Sequence, residues 1–180
     1  MKMKIAVFGS GNGSNFSAIV EYFRAKNIEN IEYTCVSDKK ESYILERARN
    51  FGINAVHLPF SRTCEFLKRN KFDLIVLAGY MRILPREVVE LGRFINIHPS
   101  LLPEFKGKDA IEKAYNAGVK RTGVTVHRVN EEVDSGEIIE QISVEIEENM
   151  TLEELKFNIH KVEHELYPRV IEKVLFGGQF

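Results

Sequence analysis

The chain lacks the features that mark several large classes of protein. Its 180 residues include no tryptophan and only two cysteines, Cys35 and Cys64. These cysteines are far apart and form no Cys-x-x-Cys pair, so a disulfide scaffold is excluded and a reduced, cytosolic compartment is expected. No apolar run approaches the ~20 residues that a membrane-spanning helix needs. The first residues lead directly into a predicted strand, without the cleavage site of a secretory signal.

The chain also has no excess of either charge. It carries 25 basic and 26 acidic residues, a formal net charge of −1, which argues against binding nucleic acid through net charge. Hydrophobic residues make up 44% of the chain and charged residues 28%, a balance that supports a folded core rather than disorder. We therefore expect residues 1–180 to form one soluble intracellular domain that binds neither nucleic acid nor a membrane.

Short apolar runs alternate with helical patterns through the first half of the chain. Predicted strands with helices between them lie at Ile5–Phe8, Ile31–Val36, Ala55–Leu58, Leu74–Ala78 and Phe94–Ile97. Strands separated by helices need crossover connections, which build a parallel sheet covered on both faces. Two later segments, Val124–Val129 and Ile139–Ile146, alternate apolar and polar residues as antiparallel edge strands do. The predicted fold class is α/β, with a doubly wound, mostly parallel, Rossmann-like sheet and antiparallel edge strands.

The last segment has the pattern of a long C-terminal amphipathic helix. Thr151 and Glu154 have the spacing of a capping box, and apolar residues then recur at intervals of three and four. Pro168 lies late in this pattern. Because proline has no backbone N–H and clashes with the preceding turn, it predicts a kink or a break in the helix there.

A glycine-rich loop follows the first strand. Residues 9–15 read Gly-Ser-Gly-Asn-Gly-Ser-Asn and open the first predicted helix. Glycines let backbone N–H groups approach a phosphate, and a helix N-terminus adds unpaired N–H groups and a favourable dipole. The spacing departs from the dinucleotide fingerprint Gly-x-Gly-x-x-Gly, whose last glycine would fall at Ser14. The loop therefore predicts a site for a single phosphate, with a simple tight turn as the alternative.

Two polar side chains stand at the end of the last predicted parallel strand. Asn96 and His98 are two residues apart, so on a strand they share a face. Ligands of open α/β sheets bind outside the carboxyl ends of the strands. An amide donor beside a protonated imidazole suits the oxyanion that forms when a nucleophile adds to a carbonyl. A carboxylate would keep His98 protonated, and Asp134 is the best candidate, although Asp-Ser-Gly is by itself a common turn.

Six segments, taken in order, resemble one known family. They are Gly11–Asn15, Leu77–Leu84, Asn96–Pro103, Thr122–His127, Asp134–Gly136 and Glu163–Pro168. Together they resemble the phosphoribosylglycinamide formyltransferases, and the resemblance covers nearly the whole chain. The Asn-x-His-Pro-Ser-Leu-Leu-Pro block marks the wider superfamily of folate-dependent formyltransferases. The glycine loop and the Glu-His-x-x-Tyr-Pro helix indicate this member.

The resemblance implies transfer of a formyl group from 10-formyltetrahydrofolate, a co-substrate, to the amine of glycinamide ribonucleotide in purine biosynthesis, without a metal. Asn96 and His98 would stabilise the tetrahedral oxyanion, while Asp134 would keep His98 protonated and help to relay the amine proton. Thr125 and His127 share a strand face and are assigned supporting roles behind these groups. The resemblance also implies a cytoplasmic monomer or homodimer, in which residues 1–90 bind the ribonucleotide and residues 91–180 carry catalysis and the folate.

The same resemblance implies two sets of binding residues. For the ribonucleotide they are Gly13, Ser14, Asn15, His160 and Glu163. For the folate they are Arg62, Met81, Arg82, Ile83, Leu84, Asn96, Asn130, Glu131, Glu132, Val133 and Asp134. Two features depart from the family pattern: glutamine often stands in place of His160, and the segment from Arg62 to Asp73 is short.

Four other functions remain open. His160, Glu163 and His164 fit His-x-x-Glu-His, the helical signature of one group of zinc peptidases, with both histidines on one helix face. A sensor that binds a phosphate ligand without catalysis would use the glycine loop but would leave Asn96 and His98 unexplained. Within the superfamily, a sugar-amine formyltransferase or a formyltetrahydrofolate deformylase would share these motifs, but the deformylase carries a second histidine where this chain has Pro99.

Overall fold

The computed structural model describes residues 1–178 and contains seven strands and six helices in that range. The strands are β1 (Met3–Phe8), β2 (Ile31–Ser37), β3 (Asn54–His57), β4 (Leu74–Leu77), β5 (Phe94–His98), β6 (Arg121–Arg128) and β7 (Ile138–Glu145). The helices are α1 (Ser14–Ala25), α2 (Tyr43–Asn50), α3 (Thr63–Arg69), α4 (Arg86–Val89), α5 (Ala110–Asn116) and α6 (Leu152–Phe176), with a short 3-10 helix at Phe60–Arg62.

All seven strands belong to one sheet in the order β3-β2-β1-β4-β5-β6-β7. The first five pair in parallel, whereas β6 runs antiparallel to β5 and to β7. The predicted mostly parallel sheet with antiparallel strands at one edge is therefore confirmed. The strand order reverses between β1 and β4, so the loops that follow these two strands diverge. A crevice outside the carboxyl ends of the strands at such a point is the usual ligand site of this architecture.

The sheet is covered on both faces, and β1 shows why its sequence is apolar throughout. Ile5 and Val7 pack in one core cluster, together with residues of α1 and α6. Ala6 and Phe8 pack in the other, on the opposite face. Successive side chains of a strand point to opposite faces, so a central strand of a doubly covered sheet needs apolar residues at every position.

The C-terminal helix α6 begins as predicted but does not break where predicted. Its capping box is formed, with the Glu154 N–H donating to Thr151 Oγ1 at 3.2 Å and the Thr151 N–H donating to Glu154 Oε2 at 2.7 Å. The helix then runs unbroken through Pro168, so of the predicted kink or break, the break is wrong. The neighbouring Tyr167 is fully buried and its hydroxyl donates to the Leu77 carbonyl at 2.6 Å. This packing against the sheet offsets the backbone hydrogen bond that proline cannot make. Within residues 1–178, α6 and the other helices include none with the length and hydrophobicity required to cross a membrane.

Candidate active site

A cavity of about 540 Å³ opens at the carboxyl edge of the sheet. Its walls come mainly from the segments 80–84, 107–109 and 127–134. Three apolar side chains at this cavity remain exposed: Met81 at 58%, Ile83 at 67% and Val133 at 44%. A concave surface with uncovered apolar groups and a few polar ones is typical of a small-molecule site.

Most of the predicted folate residues line this cavity. They are Met81, Arg82, Ile83, Leu84, Asn96, Asn130, Glu132, Val133 and Asp134. Glu131 is not among the lining residues. Arg62 also lies outside the lining, because it ends the short 3-10 helix and its guanidinium faces Glu65 on the next helical turn, with Nε 3.6 Å from Oε2. The folate contacts assigned to Glu131 and Arg62 therefore have no support from the cavity.

The Asp134 carboxylate lies between two histidines. Its Oδ2 is 3.3 Å from His98 Nδ1, and its Oδ1 is 3.6 Å from His127 Nε2. The backbone N–H of Gly107 also donates to Oδ2, at 2.8 Å. Burial alone would raise the pKa of Asp134, but the contact with His127, the Gly107 N–H and the charge of His98 together hold this pKa below its ordinary value. Asp134 is therefore an ionised carboxylate at neutral pH.

The backbone of Asp134 adopts the left-handed conformation, with φ of 51°. This conformation costs most residues about 1–2 kcal/mol, although aspartate tolerates it better than others. Two residues further on, a Cβ at Gly136 would lie 1.7 Å from the carbonyl oxygen of Arg128. The Asp-Ser-Gly segment is thus both a turn within the connection between β6 and β7 and the support that presents the carboxylate to the histidines.

His98 meets its predicted partner, but its ring is oriented differently from the expectation. Nε2 lies 2.8 Å from the carbonyl oxygen of Phe105, so this nitrogen carries a proton. Nδ1 faces the Asp134 carboxylate and donates to it only when the ring is the doubly protonated cation. Both nitrogens therefore face acceptors of the protein rather than the cavity. The cause is the loop after Pro99, which folds back through Phe105 at φ of 51° and places its carbonyl against the ring.

Asn96 and His127 stand opposite each other on neighbouring strands. His127 Nδ1 donates to the Arg128 carbonyl at 2.7 Å, and Nε2 lies 3.6 Å from Asp134 Oδ1 and 3.4 Å from Asn96 Nδ2. In the cation Nε2 donates to Asp134, whereas in the neutral ring it accepts a hydrogen bond from Asn96 Nδ2. This contact holds one N–H of the Asn96 amide and leaves the other available to a ligand. His127 lines the cavity, so its predicted place behind the catalytic groups is corrected to a place on the wall.

Thr125 lies on the strand next to His98, behind the cavity wall. It is fully buried opposite His98. Its hydroxyl donates to the Ser100 carbonyl at 2.7 Å and accepts from the Leu102 N–H at 3.1 Å. Thr125 therefore holds the loop that follows His98, and through it the carbonyl that orients the imidazole.

The glycine loop forms the N-terminus of α1, as predicted. Gly13 is the N-cap residue, with φ of 79°, and no side chain caps the helix. The N–H groups of the first turn, on Ser14, Asn15 and Phe16, thus have no capping partner. A helix N-terminus with uncapped N–H groups and a favourable dipole is suited to an anion.

Helix α6 brings the other predicted ribonucleotide residues to this loop. His164 Nε2 lies 3.1 Å from Ser14 Oγ, and His160 Nδ1 lies 2.9 Å from Glu163 Oε2. The hydrogen bond with the buried Glu163 raises the pKa of His160, whereas burial lowers the pKa of His164. The two histidines thus take separate partners. In the described part of the chain, residues 1–178, no three side chains of His, Cys, Asp or Glu are grouped to hold a metal ion.

A polar network at the reversal of strand order was missed by the sequence reasoning. The Ser10 hydroxyl donates to Asp38 Oδ1 at 2.6 Å and accepts from the Met81 N–H at 2.9 Å, while Arg82 Nε donates to Asp38 Oδ2 at 2.7 Å. The Asp38 side chain is 1% exposed. Burial would raise its pKa, but Ser10 and Arg82 lower it below the ordinary value. This network ties together the loops after β1, β2 and β4. One sequence feature could have indicated this network: Asp38 is an acidic residue just beyond the end of a predicted parallel strand.

Gly13→Ala should destabilise the protein. An added Cβ would lie 2.6–2.8 Å from Ile44, including its backbone Cα, in a left-handed conformation. The conformation and the clash together should cost about 2–4 kcal/mol, which lowers the melting temperature by roughly 5–15 °C for a chain of this size. Gly11→Ala is the matched control, because a Cβ there meets nothing within 4 Å. Equal melting temperatures for the two variants would contradict the described loop conformation.

Comparison with known proteins identifies the family of this chain. The family model described as formyl transferase matches residues 3–171. The chain is 44% identical to phosphoribosylglycinamide formyltransferase from Bacillus subtilis, over 96% of this chain and 94% of the relative. It is 39% identical to the protein of the same name from Haemophilus influenzae, over 94% and 85%. The crystal structure of phosphoribosylglycinamide formyltransferase from Bacillus halodurans superposes with a TM-score of 0.90 at 39% identity, covering 98% of this chain and 97% of that one. The chain therefore belongs to the formyl transferase family, within its group of phosphoribosylglycinamide formyltransferases.

Proposed function

We propose that this chain transfers the formyl group of 10-formyltetrahydrofolate to the primary amine of glycinamide ribonucleotide, a step of purine biosynthesis. The observation that carries the proposal is the Asp134 carboxylate, held between His98 and His127 beside Asn96 at the cavity. The names of the relatives support the same reaction.

The cavity suits the folate. Its volume of about 540 Å³ lies within the range of small-molecule sites. The exposed side chains of Met81, Ile83 and Val133 offer apolar surface to the flat ring system and its linker. When bound, the folate supplies a formyl group whose carbonyl oxygen gains negative charge as the amine adds to its carbon.

Asn96 is the donor for that developing charge. One N–H of its amide is held by His127, and the second is free to donate to the formyl oxygen. His98 contributes charge rather than a hydrogen bond. In its doubly protonated form it is held between the Phe105 carbonyl and Asp134, and it adds positive charge near the formyl oxygen without contacting it. Donors and charges already fixed in place stabilise the transition state without reorganisation.

Asp134 assists the transfer of the amine proton. In the overall transfer a bond forms between the amine nitrogen and the formyl carbon, and the bond from that carbon to N10 of the folate breaks. The amine loses one proton and N10 gains one. The ionised Asp134 carboxylate accepts a hydrogen bond from the amine, directly or through a water molecule, and helps to pass this proton on. Its low pKa means that it releases the proton again readily.

The ribonucleotide binds between α1 and α6. The N–H groups at Gly13, Ser14 and Asn15 receive the phosphate. Glu163 accepts hydrogen bonds from the ribose hydroxyls, and His160 orients its carboxylate. This arrangement leaves the amine end of the substrate to reach Asp134.

The assignment is tested with the purified protein, 10-formyltetrahydrofolate and three alternative acceptors. Formylated glycinamide ribonucleotide should appear, while a 4-amino-4-deoxy sugar nucleotide and water should give no product. Formylation of the sugar alone would overturn the acceptor. Release of formate without any amine would indicate a deformylase. Stoichiometric zinc in the purified protein would favour the zinc-peptidase interpretation of His160 and His164.

A further inference from the structure

Helix α2 takes up the carbonyl groups of the glycine loop. The Ile44 N–H donates to the Gly11 carbonyl at 3.0 Å, and Arg47 Nε donates to the Asn12 carbonyl at 2.7 Å. An anion site requires N–H groups on its inner surface, so the carbonyls of the same loop must find donors elsewhere. Two consecutive carbonyls of this loop find them on α2.

The Arg47 guanidinium also joins the loop to the first turn of α1. Nη2 donates to the Asn12 side-chain oxygen at 2.7 Å, and Nη1 donates to Ser17 Oγ at 3.1 Å. The guanidinium lies over the Tyr43 ring, 4.8 Å from its centre, so it is supported from its own helix. A planar fork makes these three hydrogen bonds at once, which a lysine ammonium does not reproduce.

The positive charge of Arg47 acts on His164, which contacts the glycine loop from helix α6. Burial lowers the pKa of His164, which touches Ser14. Glu163 and Glu21 raise this pKa, whereas His160 and Arg47 lower it further. The guanidinium is therefore near enough to the candidate phosphate site to act on its other groups.

We propose that Arg47 is the positioning residue of the phosphate loop: it turns the Asn12 carbonyl away from the anion and so sets the affinity for the phosphate of the acceptor, without contacting that phosphate. This inference rests on the proposed function for the identity of the acceptor. It assigns phosphate affinity to a residue on α2, outside both the loop and α6.

The test compares Arg47→Met and Arg47→Lys with Arg49→Met. Arg49 is on the same helix and is exposed, and its side chain makes no hydrogen bond or ion pair with residues 1–178. Arg47→Met should raise KM for glycinamide ribonucleotide by about 10- to 100-fold, since small displacements of a binding group have effects of this order. Its kcat and its KM for 10-formyltetrahydrofolate should stay within about twofold. Arg47→Lys should be intermediate, and Arg49→Met should match the wild type.

Binding of ribose 5-phosphate, measured by calorimetry, provides a readout that needs no turnover. Weaker binding in Arg47→Met and unchanged binding in Arg49→Met support the inference, even if the wild type fails to formylate glycinamide ribonucleotide and the proposed function falls. Equal increases of both KM values would indicate a general structural role and overturn it. Wild-type affinity in Arg47→Lys would show that charge alone suffices and overturn it too. A complex with ribose 5-phosphate in which the guanidinium contacts the phosphate would replace positioning by direct binding.

Discussion

Asp134→Asn should lower kcat at neutral pH by about 10²–10⁴-fold, the range for loss of a positioned proton-transfer group. The variant keeps the shape of the side chain but removes the charge that faces His98 and His127. Asparagine also tolerates the left-handed backbone of this position. KM for 10-formyltetrahydrofolate should change little. Steady-state kinetics with both substrates varied measures the two effects separately.

Glu137→Gln is the matched control for this substitution. Glu137 lies in the same connection between β6 and β7, but its carboxylate is exposed and pairs at the surface with Arg128 at 3.3 Å. A surface pair of this kind contributes little, so kcat should remain at the wild-type level. A wild-type kcat for Asp134→Asn would remove this carboxylate from the mechanism.

The acid stability of the protein should depend on the same carboxylate. Its pKa is lower in the folded chain than the ordinary 3.8, so its contribution to the free energy of unfolding is present above that value. The contribution is lost as the pH falls through the folded-state pKa. Urea unfolding should therefore show less acid destabilisation between neutral pH and pH ~3 for Asp134→Asn than for the wild type. An identical pH dependence would mean that the pKa of Asp134 is not depressed.

Asn96→Ala should lower kcat by about 10²–10³-fold, the effect of removing one oxyanion donor. In the described orientation of His98, Asn96 is the donor that faces the cavity, so no neighbouring N–H of the catalytic group replaces it. KM for both substrates should change much less than kcat, because the hydrogen bond strengthens as charge builds on the formyl oxygen.

Asn96→Asp separates the donor from the shape of the side chain. The carboxylate has nearly the same size as the amide but only accepts hydrogen bonds when ionised. Its kcat should be no higher than that of Asn96→Ala. Activity near the wild-type level in Asn96→Asp would show that the site needs the volume of the side chain rather than its N–H group.

Local patterns in the chain were sufficient for the secondary structure and for part of the site. The unbroken apolar run Leu74–Ala78 predicted a strand covered on both faces, and the Thr151–Glu154 spacing predicted the start of α6. The position of the glycine loop at the N-terminus of α1 could also be predicted from the sequence. Asn96 and His98 share a face because a strand repeats every two residues. Each of these features depends on a few neighbouring residues, whose geometry the backbone determines.

Contacts between segments that are distant in the sequence are determined only by the tertiary structure. Asp134 was a candidate partner of His98, but the antiparallel return of β6 beside β5 is what brings its loop to the imidazole. The Phe105 carbonyl holds His98 in its orientation, and Arg47 of α2 donates to the Asn12 carbonyl of the glycine loop. The continuity of α6 through Pro168 depends on packing against the sheet. Periodicity and propensity carry no information on such pairings, because they are set by how separate elements pack and by the free energy of that packing.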